Sequence, residues 1–351
     1  MVQLTHYHSN AENTLTETLK IVIPMAGWGT RMRPHTWSKP KPLVSVAGKA
    51  AIDHLMDMFK TLPDPENTEY IFIIGPFLGE QIPPYIAQNY PELKAYFIVQ
   101  EEMKGQSHAL WLAREHLNGP MVMVFSDTLL DTDFSFIANE KSDGVAWVKA
   151  VPDSRRFGVA ELNGEGAIKR LVEKPQSMEN NLALVGCYYF RQSEALVAAI
   201  DEQIRIDIQL KGEYFLADAI NIMLEHGAKM RTNSVDVWLD TGTIEATLET
   251  NTYMLDHGRD NSEEASQRPD VMVIPPVFIQ PSAKVESAVI GPHVSISADC
   301  EVTGCVIRNS ILDDEAAVTD SVLDGSFIGR QARVEGHPAG INIGDNSSIR
   351  L

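Results

Sequence analysis

The sequence is poor in cysteine, in positive charge and in long apolar runs. Its 3 cysteines in 351 residues favour a reducing compartment over a disulfide framework, and Cys187, Cys300 and Cys305 are predicted to be buried apolar side chains. Because 29 Lys and Arg stand against 48 Asp and Glu, the net charge of -19 argues against nucleic-acid and anionic-membrane partners. No stretch approaches the roughly 20 apolar residues of a membrane span, and the polar residues 1–19 lack the apolar run of a signal peptide. These absences predict a cytoplasmic protein.

Acidic residues are missing from one stretch of this acidic chain. Between Ile21 and Ile52 there is no Asp or Glu, whereas five basic residues are present: Arg31, Arg33, Lys39, Lys41 and Lys49. The same stretch holds the glycine turn AGWGTR, directly after a short apolar run. Backbone amides in such a turn can bind phosphate oxygens, and the basic side chains can neutralise them. A glycine pair alone is more often a simple tight turn, so a tight turn and a triphosphate site are both open from these residues.

Alternating apolar runs and helical patterns predict an α/β domain over residues 20–255. Apolar runs at 21–23, 71–75, 95–100 and 121–127 alternate with helical patterns at 50–60, 81–88 and 107–116. This order predicts a Rossmann-like, mostly parallel sheet, which binds ligands beyond the carboxyl ends of its strands. The glycine turn and Asp127 both follow apolar runs and are therefore expected at that edge.

Apolar residues recur every five or six positions after Pro269, in a series that includes Ile279, Val285 and Ile290. This spacing is typical of hexapeptide repeats rather than of helices or alternating strands. We therefore predict a C-terminal left-handed parallel β-helix of three or four coils at residues 271–351, after a linker at 256–270. A small β-sandwich is the alternative.

The segment AGWGTRMRPHTWSKPKPLVSVAGK resembles, almost position by position, the signature GxGTRxxPxTxxxPKPLxxVxGK of the sugar-1-phosphate nucleotidyltransferases. Later segments match the same family in order: QEEMKGQSHAL, VFSD, FGVAELNGEGAIKRLVEKP, LVGCYYF, KGEYFLAD and VWLDTGT. The resemblance extends from Lys20 to Thr250. It implies a Mg²⁺-dependent enzyme that joins a nucleoside triphosphate to a sugar-1-phosphate and releases pyrophosphate.

The resemblance also implies a role for each matched residue. Arg31 and Lys41 are implied to stabilise charge as the bond to the α-phosphorus forms, and Asp127 and Asp240 are implied to hold the Mg²⁺ ion. The implied nucleotide-binding residues are Ala26, Gly27, Trp28, Gly29, Thr30, Gln100 and Gly105. The implied sugar-phosphate-binding residues are Gly158, Glu173, Lys174, Gly186 and Lys211. Ser126 and Ala217 depart from the family pattern, so the choice of base and sugar stays open.

Several alternatives remain at this point. Glucose-1-phosphate with dTTP or UTP is the first expectation, and mannose-1-phosphate with GTP or N-acetylglucosamine-1-phosphate with UTP are the others. A non-catalytic regulatory paralogue would also bind nucleotide sugars, but the charged residues of the motif are all present. A second, acetyl-transferring activity of the β-helix is disfavoured by its short length, and a dinucleotide-dependent oxidoreductase by the missing third glycine. The open ends of a β-helix predict a homo-oligomer.

Overall fold

The computed structural model describes residues 17–336, so most of the predicted polar tail and the repeats beyond residue 336 lie outside the described residues. The described chain forms two compact units. The first comprises residues 17–30, 36–43 and 51–240, and the second comprises residues 31–35, 44–50 and 241–336. The predicted domain limits at residues 255 and 271 stay predictions.

The part of the chain before residue 241 alternates strands and helices, as predicted. Its strands are β1 (Lys20–Pro24), β2 (Ser45–Val46), β3 (Lys49–Ala50), β4 (Glu69–Ile74), β5 (Lys94–Val99), β6 (Met121–Val124), β7 (Thr128–Leu130), β8 (Gly144–Ala150), β9 (Gly158–Leu162), β10 (Ile168–Glu173), β11 (Leu182–Phe190), β12 (Met230–Ser234) and β13 (Trp238–Asp240). Its helices are α1 (Ala51–Met58), α2 (Ile82–Asn89), α3 (Gln106–Leu112), α4 (Ser193–Arg205) and α5 (Leu216–Glu225), with short 3-10 turns between them.

The first unit is built on one large sheet with the strand order β10-β9-β11-β6-β1-β4-β5. In addition, β8 pairs with β11, and β12 pairs with β8. Strand β1 pairs in parallel with β4 and β6, and β4 pairs in parallel with β5. Ile21, Val22 and Ile23 of β1 are fully buried, which explains their uninterrupted apolar run. The predicted Rossmann-like sheet is confirmed, and the carboxyl ends of its central strands share one edge.

Strand β6 ends at Val124, whereas the apolar run predicted a strand up to Asp127. The chain turns there because the Thr128 amide donates a hydrogen bond to the Phe125 carbonyl oxygen at 3.1 Å. Asp127 therefore lies in the turn between β6 and β7, still at the carboxyl edge.

The second unit contains the predicted parallel β-helix. Its elements are α6 (Ile244–Asp256), α7 (Ser262–Ala265), β14 (Val271–Val273), β15 (Val277–Ile279), β16 (Lys284–Glu286), β17 (Ala288–Ile290), β18 (Val294–Ile296), β19 (Glu301–Thr303), β20 (Val306–Arg308), β21 (Ile311–Leu312), β22 (Ala317–Thr319), β23 (Val322–Asp324), β24 (Phe327–Ile328) and β25 (Arg333–Glu335). Every third strand pairs in parallel, which gives three sheets: β14-β17-β20-β23, β15-β18-β21-β24 and β16-β19-β22-β25. The described part thus has four coils, and the alternative of a β-sandwich is wrong.

The three faces of the β-helix differ in what points outward. The first face presents one row of aligned aliphatic side chains, Met272, Val289, Val306 and Val322. The second face is covered within the unit, since a Cβ on Gly48 would lie 2.2 Å from the Phe278 ring. The third face carries exposed charged residues such as Lys284 and Glu301.

The stretch predicted as a linker contains α7, which is tied to β15. The Ile279 amide donates to Asn261 Oδ1 at 2.8 Å, and Asn261 Nδ2 donates to the Ile279 carbonyl oxygen at 2.9 Å. All three cysteines are buried, as predicted. Between residues 17 and 336, no helix combines the length and the apolar character needed to cross a membrane.

Candidate functional site

The glycine turn follows β1 directly at the carboxyl edge of the sheet. Gly27, Trp28 and Thr30 are exposed, while Ala26 is buried at the start of the turn. A Cβ on Gly75, the residue after β4, would lie 2.7 Å from the Ala26 carbonyl oxygen. Only glycine therefore allows the loop after β4 to approach the turn, and the exposed amides remain placed where a phosphate group can reach them.

A second contact fixes the conformation of the turn. Gly29 has a φ of 58°, in the left-handed region that favours glycine. Its carbonyl oxygen accepts a hydrogen bond from the Thr36 hydroxyl at 2.8 Å, and Thr36 is buried. Thr36 of the motif thus stabilises the conformation of the glycine turn.

Lys41 of the motif forms an ion pair with Asp127. Lys41 begins a 3-10 turn, and its Nζ atom contacts Asp127 Oδ2. The side chains are 13% and 25% exposed, so the pair is largely shielded yet still reachable from solvent. The structure thus brings together one predicted phosphate-binding cation and one predicted metal ligand, 86 residues apart in sequence.

Strand pairing places Asp240 opposite the residue that follows Asp127. Strands β7 and β13 are antiparallel, and Asp240 lies opposite Thr128, the residue after Asp127. In residues 17–336, no group of three or more His, Cys, Asp or Glu side chains could hold a metal ion. A Mg²⁺ ion needs only one or two carboxylates when substrate phosphates and waters complete its shell. The donor set of Asp127 and Asp240 therefore fits Mg²⁺ bound together with a triphosphate.

Arg31 is placed by its position in the chain. It follows Thr30 in the 3-10 turn Thr30–Met32, its side chain is exposed, and it belongs to the short stretch 31–35 of the second unit. Its role toward phosphate stays a prediction.

Gln100 and Gly105 lie in the loop between β5 and α3. Gln100 is buried, and its Nε2 atom donates to the Gly105 carbonyl oxygen at 3.2 Å. Gly105 has a φ of 93°, and a Cβ there would lie 2.5 Å from the Tyr214 carbonyl oxygen. The amide of Gln100 thus supports the loop, and direct contact of either residue with a base stays a prediction.

Gly158 and Glu173 face each other across the β9–β10 pair, in register. A Cβ on Gly158 would lie 3.1 Å from Glu173 Oε2, so a larger residue would crowd the carboxylate. Lys174 follows with a φ of 46°, and its Nζ atom lies 5.8 Å from the centroid of the Phe215 ring. The predicted sugar-binding Glu–Lys dipeptide is therefore presented at the end of β10.

Burial raises the pKa of Glu173, an effect that Lys174 opposes and that the charge of Asp218 strengthens. Burial also raises the pKa of Asp218. Two partly buried carboxyl groups with raised pKa values therefore lie near the end of β10.

Gly186 and Lys211 complete the predicted set. Gly186 lies within β11 with a φ of 83°, and a Cβ there would lie 2.3 Å from the Phe125 ring. Lys211 is exposed in a turn closed by hydrogen bonds between Leu210 and Glu213, and its contact with a sugar phosphate stays a prediction.

An aromatic pair beside the site was not predicted from the sequence. The rings of Phe157 and Trp238 meet edge to face with centroids 5.0 Å apart. Phe157 precedes Gly158, and Trp238 lies two residues before Asp240 on β13, hence on the same face of that strand. The spacing of Trp238 and Asp240 could have indicated an aromatic residue at the site. Its partner Phe157 could not be identified in this way, because it is 81 positions away in the sequence.

A family model described as nucleotidyl transferase matches residues 20–257. The glucose-1-phosphate thymidylyltransferase of Streptomyces antibioticus is 27% identical over 364 residues, which cover 95% of this chain and 99% of that protein. The low-salt glycan biosynthesis nucleotidyltransferase Agl11 of Haloferax volcanii is 29% identical and covers 95% of this chain and 100% of its own length.

Two solved structures share the fold. A protein described as a glucose-1-phosphate thymidylyltransferase from Bacillus anthracis matches with a TM-score of 0.58 at 23% identity, over 67% of this chain and 95% of that one. A UDP-glucose pyrophosphorylase complexed with UDP-glucose matches with a TM-score of 0.58 at 19% identity, over 69% of this chain and 100% of that one. At these identities the likeness establishes the architecture alone.

Proposed function

The chain belongs to the nucleotidyl transferase family, and on that premise we propose that it is a sugar-1-phosphate nucleotidyltransferase. In this reaction a phosphate oxygen of the sugar-1-phosphate forms a bond to the α-phosphorus of a nucleoside triphosphate. The bond from that phosphorus to the leaving oxygen breaks, and pyrophosphate departs with the electron pair. The products are a nucleoside-diphosphate sugar and pyrophosphate.

The observation that supports this proposal most strongly is the convergence of Lys41, Asp127 and Asp240 near the carboxyl edge of the sheet. The Lys41–Asp127 ion pair and the β7–β13 register bring them together from distant parts of the sequence. The glycine turn follows β1 at this edge. Phosphoryl and nucleotidyl transfer need alignment and charge stabilisation more than a general base, because the attacking phosphate oxygen is already ionised.

Each group has a defined task in the proposed reaction. The amides of Gly27 to Thr30 bind the triphosphate, and Lys41 and Arg31 neutralise charge that moves onto the leaving pyrophosphate. Asp127 and Asp240 would hold a Mg²⁺ ion. When bound, that ion supplies positive charge to the phosphate oxygens.

The sugar-phosphate is proposed to bind at the end of β10. Glu173 accepts hydrogen bonds from sugar hydroxyls, Lys174 and Lys211 attract the phosphate, and Gly158 and Gly186 line the sugar pocket. Gln100 and Gly105 are proposed to contact the nucleotide base.

Glucose-1-phosphate with dTTP or UTP is the proposed substrate pair. The glucose-1-phosphate thymidylyltransferase of Streptomyces antibioticus matches over 95% of this chain and supports this choice. Mannose-1-phosphate with GTP and N-acetylglucosamine-1-phosphate with UTP are the alternatives. A cytoplasmic location stays a prediction from the sequence.

The test is pyrophosphate release over a grid of five nucleoside triphosphates and four sugar-1-phosphates, with and without Mg²⁺. We expect turnover with at least one pair, highest for glucose-1-phosphate with dTTP or UTP, and none after chelation of the metal. Binding of nucleotide sugars without turnover in any pair would contradict the proposal and favour a regulatory paralogue.

We also propose that the chain forms a homo-oligomer through the aliphatic row of the β-helix. Met272 and Val322 are 65% and 81% exposed, and apolar surface of this kind marks interaction sites. A second copy carries the same row at the same coil spacing, so the two rows can interdigitate. Sedimentation should show a smaller species for Val322→Glu and no change for Thr319→Glu on the charged face.

A further inference from the structure

Among the strands of residues 17–336, β10 is paired along one edge, and an isolated bridge joins Ala167, just before β10, to Arg231 of β12. Within the large sheet β10 pairs with β9 alone. At its other edge, the Leu171 amide donates to Asn221 Oδ1 at 2.8 Å, and Asn221 Nδ2 donates to the Leu171 carbonyl oxygen at 2.9 Å. The side-chain amide of Asn221, on α5, thus replaces one residue of a missing neighbouring strand.

This clamp lies close to the proposed sugar-phosphate subsite. Leu171 is two residues before Glu173, and the start of α5 also approaches the Glu–Lys dipeptide. The Phe215 ring lies 5.8 Å from Lys174 Nζ, and the charge of Asp218 acts on Glu173. The Asn221 side chain bonds both backbone groups of Leu171. It therefore fixes the position of the end of β10, where Glu173 lies.

Tyr214, two residues before α5, is tied to the loop that is proposed to line the base-binding pocket. The Tyr214 amide donates to the Lys104 carbonyl oxygen at 2.8 Å, and the Ser107 amide donates to the Tyr214 carbonyl oxygen at 3.1 Å. Gly105 lies between these contacts and permits them, because a Cβ there would collide with the Tyr214 backbone. One short segment, residues 214–221, thus holds both the base loop and the end of β10.

We propose that Asn221 is a positioning residue for the sugar-phosphate subsite and that residues 214–221 couple this subsite to the base loop. The inference rests on the proposed function. It means that an occupied nucleotide site strengthens sugar-phosphate binding, and that loss of the Asn221 clamp weakens both the binding and the coupling.

The test compares Asn221→Ala and the isosteric Asn221→Asp with the wild-type protein. The aspartate keeps an acceptor for the Leu171 amide but loses the donor to the Leu171 carbonyl oxygen. Val197→Ala on α4, partly buried against the same core as α5, is the matched control for general loss of packing. The measurements are KM for each substrate, and the affinity for glucose-1-phosphate by calorimetry with and without a non-hydrolysable nucleoside triphosphate.

We expect KM for the sugar-phosphate to rise at least about fivefold in both Asn221 variants, because two hydrogen bonds to a buried backbone are lost or mismatched. KM for the nucleoside triphosphate should stay within about twofold, and the gain in sugar-phosphate affinity that the nucleotide produces should shrink. Val197→Ala should leave both quantities unchanged.

Two results would overturn the inference. One is wild-type KM values for both substrates in a folded Asn221→Asp protein. The other is a parallel loss of activity in Asn221→Ala and Val197→Ala that follows only the loss of folded protein. If the wild-type protein binds no sugar-phosphate at all, the proposed function fails and the inference fails with it. Calorimetry on the wild-type protein distinguishes this case from a failure of the inference alone.

Discussion

The two compact units use their strands in different ways. In the first unit, β1 and β6 are buried along their length, and the candidate site residues lie in loops and short strands beyond their carboxyl ends. In the second unit, each short strand buries its inward residues, and the outward residues form rows that differ from face to face. A sheet of buried strands concentrates polar groups at one edge, whereas a β-helix spreads them over its surface.

The largest expected effect concerns the Lys41–Asp127 ion pair at the carboxyl edge of the large sheet in the first unit. Lys41→Met should lower kcat/KM about 100- to 1,000-fold, because it removes a shielded positive charge where the transition state gains negative charge. Lys60→Met is the matched control, since Lys60 is 71% exposed and its Nζ atom lies 2.7 Å from Asp57 Oδ1 of α1. Steady-state pyrophosphate release measures both. Equal losses in the two variants would mean that the edge has no special electrostatic role.

The next prediction concerns inward and outward positions of the β-helix. Ile307→Ala should lower the free energy of unfolding by about 2–4 kcal/mol, because Ile307 is fully buried and its truncation leaves a cavity. Val322→Ala, on the next coil but pointing outward, should change it by less than about 0.5 kcal/mol in the monomer. Urea denaturation followed by circular dichroism measures the difference. Similar values for both variants would contradict the inward–outward distinction.

A smaller effect is expected for a half-buried ion pair in the first unit, between Glu140 and Arg231. Although burial alone would raise the pKa of Glu140, hydrogen bonds from Arg231 and Ser142 lower it to about 2. Since the folded-state pKa lies below the ordinary value of 4.5, the stabilisation is present above pH 4.5 and is lost as the pH falls toward 2. Glu140→Gln should therefore lower the free energy of unfolding by about 1–2 kcal/mol at pH 7, and by less below pH 4.

Glu301→Gln is the control for this pair. Glu301 Oε1 lies 3.1 Å from Lys284 Nζ on the charged face of the β-helix, and both side chains are more than half exposed. Its substitution should leave stability unchanged at every pH, because solvent screens exposed pairs. A pH-independent loss in Glu140→Gln would show that packing rather than charge is responsible.

Much of this arrangement could be predicted from local sequence signals. The glycine turn, the apolar runs and the six-residue spacing each reflect a short-range rule, so the sheet, its carboxyl edge and the β-helix were predictable. The family resemblance implied separate roles for Lys41 and Asp127, but their ion pair could not be predicted because 86 residues separate them.

Other features left no local signal. Asn221 looks like an ordinary helical residue until β10 is placed beside it. The short helix α7 lies in a polar stretch that indicates a linker, and its tie to β15 depends on the side chain of Asn261. Such contacts are set by tertiary packing, which overrides the local pattern.

Isotope exchange at the α-phosphorus tests the central claim most directly. Protein incubated with unlabelled nucleotide sugar, ³²P-labelled pyrophosphate and Mg²⁺ should form labelled nucleoside triphosphate by the reverse of the proposed reaction. Asp127→Asn and Asp240→Asn should reduce the exchange by about 100-fold or more, while Asp236→Asn, at an exposed position, should retain it. Exchange at the wild-type rate in either of the first two variants would contradict the account.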